Sequence, residues 1–363
     1  MKKILKDLLP KLIFFLIVSI VVIIILFSTN DIQSVFSEIG NSNGLWLLVC
    51  LCVLIIYMLI NQISLFLLTR PICPKFTFID AFLIGSTEYF FNGITPFASG
   101  GQPFQVYAYN KVGISPSKST GVLLINYVCY QLCIVICCFV SLIYYKELKT
   151  SISNVIPMLI IGIIINVLVL LIFFGIGKSS HFRLALTALL RKIISFKIFR
   201  GRGKNLLSKF ESYCVGVQEA FNDLLSHKLR SFFAILFKLI AQFIYFSIPF
   251  FILKALGIEI TFSRIFFVIA MTTFAVAMTC FIPTPGASGG IEIAFKQLFI
   301  SITGVTPSVA VSGMILWRGF TYYLLMLFSF IIYVVFVSKA KPNRYMNYEE
   351  MINEATITEN EDI

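Results

Sequence analysis

Residues 92–105 read NGITPFASGGQPFQ, and residues 283–292 read PTPGASGGIE. Within them, TPFASGGQ at 95–102 and TPGASGGI at 284–291 agree at six of eight positions. Each stretch follows an apolar segment, and its prolines interrupt a helix because proline lacks the amide hydrogen and restricts the residue before it. The pair predicts two chain reversals of the same kind inside one apolar fold.

The rest of the chain is also strongly apolar. Of its 363 residues, 58% are hydrophobic and 13% are charged, and the mean hydropathy is +0.93. A soluble domain is about 45–50% apolar and about 25% charged, so the composition excludes a soluble enzyme, a disordered protein and a nucleic-acid-binding module. Continuous apolar runs, rather than alternating ones, predict an all-α polytopic membrane protein.

The number of spans depends on the two segments that precede the motifs, 77–92 and 262–282. They are either two further spans, eight in all, or re-entrant hairpins added to six full spans. The loop 178–230 carries eleven Lys and Arg against three acidic residues, and basic loops stay in the cytoplasm. That rule favours six spans plus two hairpins with both termini cytoplasmic, although it leaves Lys146 and Lys149 outside. The predicted full spans are 11–28, 45–68, 118–145, 154–176, 231–256 and 308–338.

A second pair of short motifs indicates an internal repeat. GISPS at 113–117 is echoed by GVTPS at 304–308, roughly 190 residues later, which is nearly the spacing of the first pair. Two units, about 45–145 and 231–338, would each contain a span, a broken hairpin and a span. Because one span, 154–176, separates them, the second unit is expected to be inverted, as in many secondary transporters.

The predicted domain organisation follows from these features. Residues 1–338 form a single transmembrane domain, in which 178–230 is a basic cytosolic loop. Within that loop, 184–199 and 204–221 are amphipathic and basic, a pattern typical of helices that lie on anionic membrane surfaces. The acidic tail, 339–363, is predicted to be disordered.

The first motif is expected to present a helix N-terminus at membrane depth. Pro96 ends the incoming helix, Gly100 and Gly101 permit a tight reversal, and Pro103 fits the first position of a new helix that runs to about Lys111. The N–H groups and the positive dipole end of such a helix favour an anion. The motif therefore predicts an anion-binding element.

The second motif repeats this plan. Pro283 and Pro285 break the helix, residues 288–290 turn the chain, and a new helix starts near Glu292. Two opposed helix N-termini near the midplane would form a cradle for a phosphate-bearing headgroup. The alternative is that both breaks serve only to let the helices pack.

Ionisable side chains at membrane depth are costly and are therefore the first functional candidates. Glu88 lies one helical turn before Asn92. Glu292 either binds substrate or compensates the helix dipole. Arg318, deep in the last span, either pairs with one of these acids or binds a lipid phosphate bidentately. Lys238 is nearer a helix end and is expected to snorkel to the interface.

The candidate substrate-binding site combines the motifs and these charges with a polar cluster in the span 118–145. No catalytic residue, metal ligand or cofactor is assigned. The stripe of Cys129, Cys133 and Cys137 is interpreted as packing, because free cysteine behaves as a small hydrophobe. The candidates are Glu88, Asn92, Thr95, Ser99, Gly100, Gly101, Gln102, Gln105, Asn126, Tyr130, Thr284, Ser288, Gly289, Gly290, Glu292 and Arg318.

The two motifs, 92–105 and 283–292, resemble the signatures of the lysylphosphatidylglycerol synthase transmembrane family, and the resemblance extends over about 10–338. This family is the flippase-like membrane region of the multiple peptide resistance factor and of its stand-alone relatives. The resemblance implies a protein of a bacterial or archaeal plasma membrane that moves aminoacylated phosphatidylglycerol to the outer leaflet. It also implies that aminoacyl transfer belongs to a separate cytosolic domain, whereas only 25 residues follow Ser338 here.

Two classes of function therefore remain open. The first is a lipid flippase, with the headgroup phosphate at 99–102, 288–291 and Arg318, and a headgroup amine at Glu88 or Glu292. The second is a membrane-embedded lipid-modifying transferase of the phosphatidylglycerol lysyltransferase type. A non-transporting scaffold or partner subunit is a further alternative. The expected partners are anionic or aminoacylated phospholipids, together with a second copy of the chain or a separate lipid synthase, and no nucleic acid.

Overall fold

The computed structural model describes residues 32–144, 156–194, 203–279, 282, 284–340 and 342–345. The regular secondary structure of these residues is entirely helical, with no strand among them, so the predicted all-α class is confirmed. The predicted span 11–28 lies outside the described residues, as do Lys146 and Lys149. Six helical stretches are long and apolar enough to cross a membrane: Gly44–Thr69, Pro116–Tyr144, Leu159–Lys178, Lys228–Ala255, Phe262–Thr279 and Pro307–Lys339.

The first half of the chain contains the break that the sequence predicts. Its segment 77–92 is divided into two short helices at Thr87, and a third short helix follows the first motif. The helices are α1 (Ile32–Gly40), α2 (Gly44–Thr69), α3 (Phe78–Ser86), α4 (Glu88–Gly93), α5 (Gly101–Lys111) and α6 (Pro116–Ser141).

The second half differs in the corresponding place. Its segment 262–282 contains one continuous helix, which is among the six candidate spans, and re-entrant entry stays a prediction for both segments. A π-helical stretch, Gly319–Leu324, interrupts the last span. The helices are α7 (Ile156–Lys178), α8 (Ser180–Ile194), α9 (Gly203–Ser226), α10 (Lys228–Ala255), α11 (Ile265–Thr279), α12 (Gly290–Thr303), α13 (Pro307–Arg318) and α14 (Leu325–Lys339).

Helices α2 and α10 pack along each other. The amide of Asn43, at the start of α2, donates to the carbonyl of Ala255, at the end of α10, over 2.7 Å. Further along, Lys238 of α10 contacts Asn61 of α2. The two helices are therefore antiparallel. That is the orientation an inverted repeat requires of its first spans, and the repeat itself remains a prediction.

The basic loop forms two helices, of which one belongs to the bundle. α9 packs on α6 and α7 and buries Val217, Phe221 and Leu224. The apolar face of α9 is thus covered by protein, and the expectation that it lies on the membrane surface is wrong. α8 keeps Leu184 and Leu189 exposed, so a surface role remains a prediction for α8 alone.

The chain after α14 returns to the first half of the protein. The amides of Asn343 and Tyr345 donate to the carbonyls of Lys111 (3.1 Å) and Val112 (2.8 Å). A backbone held in this way is ordered, so the prediction of disorder is wrong for residues 342–345. The remaining tail, 346–363, lies outside the described residues.

Asp80 fastens this returning segment to α3. Its carboxylate accepts hydrogen bonds from the hydroxyls of Tyr345 and Thr77 and forms an ion pair with Arg344 at 3.2 Å. Burial raises the pKa of Tyr345 to about 12, so its hydroxyl remains a donor at neutral pH. We call residues 342–345 the C-terminal clasp.

Replacing Asp80 with alanine is expected to release the C-terminal clasp, because the substitution removes the charged acceptor of two clasp side chains, Arg344 and Tyr345. The measurement is the rate of trypsin cleavage at Arg344 in detergent micelles, which should rise several-fold. Glu259→Ala, which removes an exposed acid elsewhere, is the matched control. Equal cleavage rates for Asp80→Ala and the wild type would contradict the proposed fastening.

Candidate functional site

The first motif reverses direction at residues that the sequence did not single out. α4 ends at Gly93, and the chain then passes through a single helical turn in which Phe97 (φ 54°) and Ala98 (φ 50°) are left-handed. Gly100, by contrast, has an ordinary φ of −83°. The predicted reversal exists, but a non-glycine pair makes it. Such conformations are costly for residues with a Cβ atom and persist only where the surroundings hold them.

Glycine is required at 100 and 101 for a different reason, which is close packing. A Cβ atom at Gly101 would lie 2.6 Å from the side-chain oxygen of Asn92, and one at Gly100 would lie 2.8 Å from the carbonyl oxygen of Phe91. The amide of Gly101 donates to Asn92 Oδ1 (2.8 Å), and that of Gly100 donates to Thr95 Oγ1 (2.9 Å). Two N–H groups predicted to face an anion are therefore already paired within the motif.

The second motif has the same backbone conformation and contacts the first. Gly286 (φ 60°) and Ala287 (φ 54°) are left-handed at the positions that correspond to Phe97 and Ala98. The single helical turns that contain these pairs pack against each other. The residues that the two motifs share thus accompany the same backbone conformation. The fold also places the two motifs in contact.

A buried ion pair holds the second motif, and we call it the Arg318 centre. Arg318 Nε donates to Glu292 Oε1 (2.7 Å), and its Nη2 atom contacts the same oxygen (2.6 Å), the Gly286 carbonyl (2.9 Å) and Ser288 Oγ (3.2 Å). The other oxygen of Glu292 accepts from the amide of Gly289 (2.7 Å). Arg318 and Glu292 are 6% and 4% exposed. Of the alternatives for Arg318, the structure shows the pair with Glu292, which also caps α12.

The π-helical stretch after Arg318 joins this centre to the first motif. The hydroxyl of Tyr322 donates to the carbonyl of Gly93 (2.8 Å), and the Arg318 guanidinium lies 4.5 Å from the centre of the Tyr322 ring. π-helical turns often occur at functional sites. Nothing in the sequence distinguished Tyr322 from the other aromatic residues of the last span.

The first broken hairpin has its own buried polar cluster, which we call the Glu88 centre. Gln105 Nε2 lies 3.4 Å from Glu88 Oε2, across the first broken hairpin. Lys238 Nζ donates to Asn61 Oδ1 (3.0 Å), and Asn61 Nδ2 donates to the Tyr89 hydroxyl (2.6 Å). Lys238 is 3% exposed, so the expectation that it snorkels is wrong.

Three tyrosines connect the Glu88 centre with the π-helical stretch. The ring of Tyr57 lies 5.9 Å from that of Tyr89 and 4.6 Å from that of Tyr245, measured between centroids. The Tyr245 hydroxyl then donates to the carbonyl of Thr321 over 3.1 Å. A continuous aromatic path therefore runs from the first centre to the residues that follow Arg318.

Ser329 of α14 forms hydrogen bonds with the backbone where α3 ends and α4 begins. Its hydroxyl donates to the carbonyl of Ser86 (2.7 Å) and accepts from the amide of Phe90 (2.8 Å). Both backbone groups would otherwise be left unpaired in apolar surroundings, which costs several kcal/mol. Sequence reasoning missed this residue, because a serine in an apolar span carries no distinguishing pattern.

Some predicted site residues lie apart from both centres. Asn126 of α6 accepts from Ser64 of α2 at 3.3 Å, and Tyr130 lies one turn further along α6, with its ring 6.1 Å from that of Tyr127. The structure thus assigns Asn126 a helix-to-helix contact. Of the other motif residues, Ser99 is exposed, Gln102 is half-buried, Thr284 donates to the Ser288 carbonyl, and Gly290 begins α12.

The fold and the two centres define a multi-pass helical membrane protein with interrupted helices and buried charges. Residues 12–329 match the family described as the lysylphosphatidylglycerol synthase TM region, so the chain belongs to this family. It is also similar to a Mycoplasma genitalium protein described as uncharacterized protein MG306, with 27% identity over 117 residues. That match covers 32% of this chain and only 29% of the relative. No solved structure matches the chain.

Replacing Gly101 with alanine is expected to lower the stability of the protein by about 1–3 kcal/mol, because the added methyl group displaces Asn92 and breaks its hydrogen bond. The readout is the thermal midpoint of helical circular dichroism in detergent. Gly44→Ala is the control, since no atom lies within 4 Å of a Cβ atom there. Equal midpoints for the two variants would show that close approach does not matter at Gly101.

Removing only the cation of the Arg318 centre should destabilise the protein strongly. Arg318→Met leaves the Glu292 carboxylate buried without its counter-ion, a change that costs about 3–5 kcal/mol in buried pairs. The double variant Glu292→Gln/Arg318→Met removes the charge and keeps an acceptor for the Gly289 amide. It should therefore unfold at a higher temperature than Arg318→Met. If the double variant were no more stable than the single one, the ion pair would not be what holds the second motif.

Proposed function

We propose that the protein moves phospholipids between the leaflets of the membrane and that the two contacting motifs line the path of the headgroup. The observation that carries the proposal is the pair of interrupted helices, each with a buried charged centre, in a chain with six candidate spans. Irregular backbone at membrane depth is tolerated where it is buried in protein or lines a polar cavity. Transporters use such broken helices to build their binding sites.

The amine of a headgroup is assigned to Glu88 rather than Glu292. Both oxygens of Glu292 are engaged, one by Arg318 and one by the Gly289 amide. Glu88 is only partly buried, and the hydrogen bond from Gln105 to its carboxylate is long, at 3.4 Å. The structure therefore supports Glu88 as the acid that a cationic headgroup can reach.

The phosphate of the headgroup is assigned to the outer part of the motifs. The amides of Gly100, Gly101 and Gly289 donate to side chains of their own motifs. These three N–H groups are therefore not available to a phosphate in the cradle that the sequence predicts. Ser99 is exposed and Gln102 is half-buried, and both stand at the N-terminal end of α5. Their side chains and the dipole of that helix favour an anion.

The test is leaflet exchange in liposomes that contain the purified protein. Fluorescent phosphatidylglycerol and lysylphosphatidylglycerol are incorporated in both leaflets, and an impermeant quencher reports the fraction that becomes accessible. Glu88→Gln should slow exchange of the lysyl lipid by about tenfold or more, since a buried ion pair with the substrate is lost. Phosphatidylglycerol, which carries no amine, should be affected less.

Glu259→Gln is the matched control, because it neutralises an exposed acid between α10 and α11. Exchange of both lipids at the rate of protein-free liposomes would refute lipid transport. Unchanged exchange of the lysyl lipid in Glu88→Gln would refute the assigned amine site. A covalently altered lipid in the presence of an aminoacyl donor would instead support the transferase.

A further inference from the structure

Helix α8 belongs to the basic loop and takes part in neither the Glu88 centre nor the Arg318 centre. It starts one residue after α7, and the helix is interrupted at Ser179. The ring of Phe182 lies back against the last turn of α7, because a Cβ atom at Gly175 would stand 2.6 Å from that ring. The start of α8 is therefore held beside the end of α7.

The end of α7 is a lipid-facing part of the bundle. The candidate span in this helix, Leu159–Lys178, is the least buried of the six, and its residues Leu168 and Leu171 are more than half exposed. The residues before Lys178 are still apolar, with the sequence FFGIG at 173–177. A helix that folds back onto the end of such a span lies close to the lipid headgroups.

Helix α8 is covered by protein on one side only. It packs on α9, and Thr187 is buried on the covered side. Leu184 and Leu189 are 56% and 57% exposed, and Phe182 is 39% exposed. Leu189 follows Phe182 by about two helical turns, so the two side chains lie on the same side of α8. Within the described residues, an uncovered apolar stripe thus continues from the end of α7 along α8.

The charge of this segment is entirely positive. Residues 180–204 contain seven Lys and Arg and no Asp or Glu. Arg191 and Lys192, in the last turn of α8, are exposed. Exposed Phe and Leu together with basic residues are typical of helices that bind anionic membrane surfaces, where the apolar side chains enter the headgroup layer. A protein partner would have to displace the lipid that surrounds the end of α7.

We propose that α8 is an interfacial helix that docks on anionic phospholipids of the leaflet at the Lys178 end of α7. Phe182 and Leu189 enter the headgroup layer, and Arg191 and Lys192 bind lipid phosphates. Because α8 packs on α9, and α9 packs on α6 and α7, this docking anchors that part of the bundle at the membrane surface. The surface is separate from the headgroup path proposed for transport and does not depend on it.

The test places a fluorescent reporter on α8 of the full chain. Leu189→Trp is reconstituted in nanodiscs of phosphatidylcholine, with or without phosphatidylserine, and brominated acyl chains quench indoles that enter the membrane. The emission of the wild type, which contains Trp46 and Trp317, is subtracted. Quenching should be about twofold or more stronger in the anionic discs, because basic residues are stabilised near an anionic surface. High salt should reduce this difference by screening.

Two charge variants of the reporter protein examine the role of the basic residues. Arg191→Gln/Lys192→Gln should lower quenching in anionic discs to the level found in phosphatidylcholine, since the groups that bind phosphate are gone. Lys228→Gln/Arg230→Gln is the matched control, because it removes the same charge from exposed positions at the start of α10. The control should keep the stronger quenching in anionic discs. Phosphatidylserine keeps the headgroups of the transport proposal out of the measurement.

Two results would overturn the proposal. A reporter that remains unquenched in both kinds of disc means that α8 stands in solution and that its uncovered face is left to a protein partner. Equal quenching in both kinds of disc, unaffected by Arg191→Gln/Lys192→Gln, means that α8 enters the membrane without recognising anionic lipid. If Leu189→Trp does not fold, Leu184→Trp provides the reporter at another exposed position of the same helix, with the same expected results.

Discussion

The structure depends on one constraint: a helix that breaks among apolar side chains must find partners for the backbone groups it exposes. Water does this at a protein surface, but in an apolar bundle the protein itself must do it. Ser329 pairs the break between α3 and α4, Asn92 and Thr95 pair the amides of the first motif, and Glu292 caps α12. These partners come from the motifs themselves and from the last span. The last span must therefore pack beside the broken helices.

The two halves meet this constraint with the same backbone but with different charges. In the second half, Arg318 binds Glu292 and the motif around Gly286 directly. In the first half, Lys238 donates to Asn61, and Gln105 contacts Glu88. A directly paired arginine and a lysine hydrogen-bonded to an amide give the two centres different charge arrangements, although the two motifs are alike. The chain's membership in the lysylphosphatidylglycerol synthase TM family is consistent with the headgroup site proposed above.

Much of the fold could be predicted because a membrane-spanning helix is recognised from the apolar residues of its own segment. Continuous apolar runs gave the helical class, and the prolines located both breaks, as the ends of α4 at Gly93 and α11 at Thr279 show. Predictions were wrong where the surroundings of a segment are formed by residues distant in the sequence. α9 is amphipathic whether it faces lipid or protein, and the clasp at 342–345 depends on Asp80, which is distant in sequence.

The sequence by itself determined which residues must be special: the two TP-x-ASGG motifs and the few charges in apolar surroundings, because proline and buried charge are costly wherever they are placed. Only the tertiary structure decided what each of them does. It paired Arg318 with Glu292, placed Lys238 beside Asn61, and assigned the left-handed turn to Phe97 and Ala98 rather than to Gly100. The physical reason is that the partner of a buried polar group comes from whichever helix lies opposite. Spacing along the chain does not specify that helix.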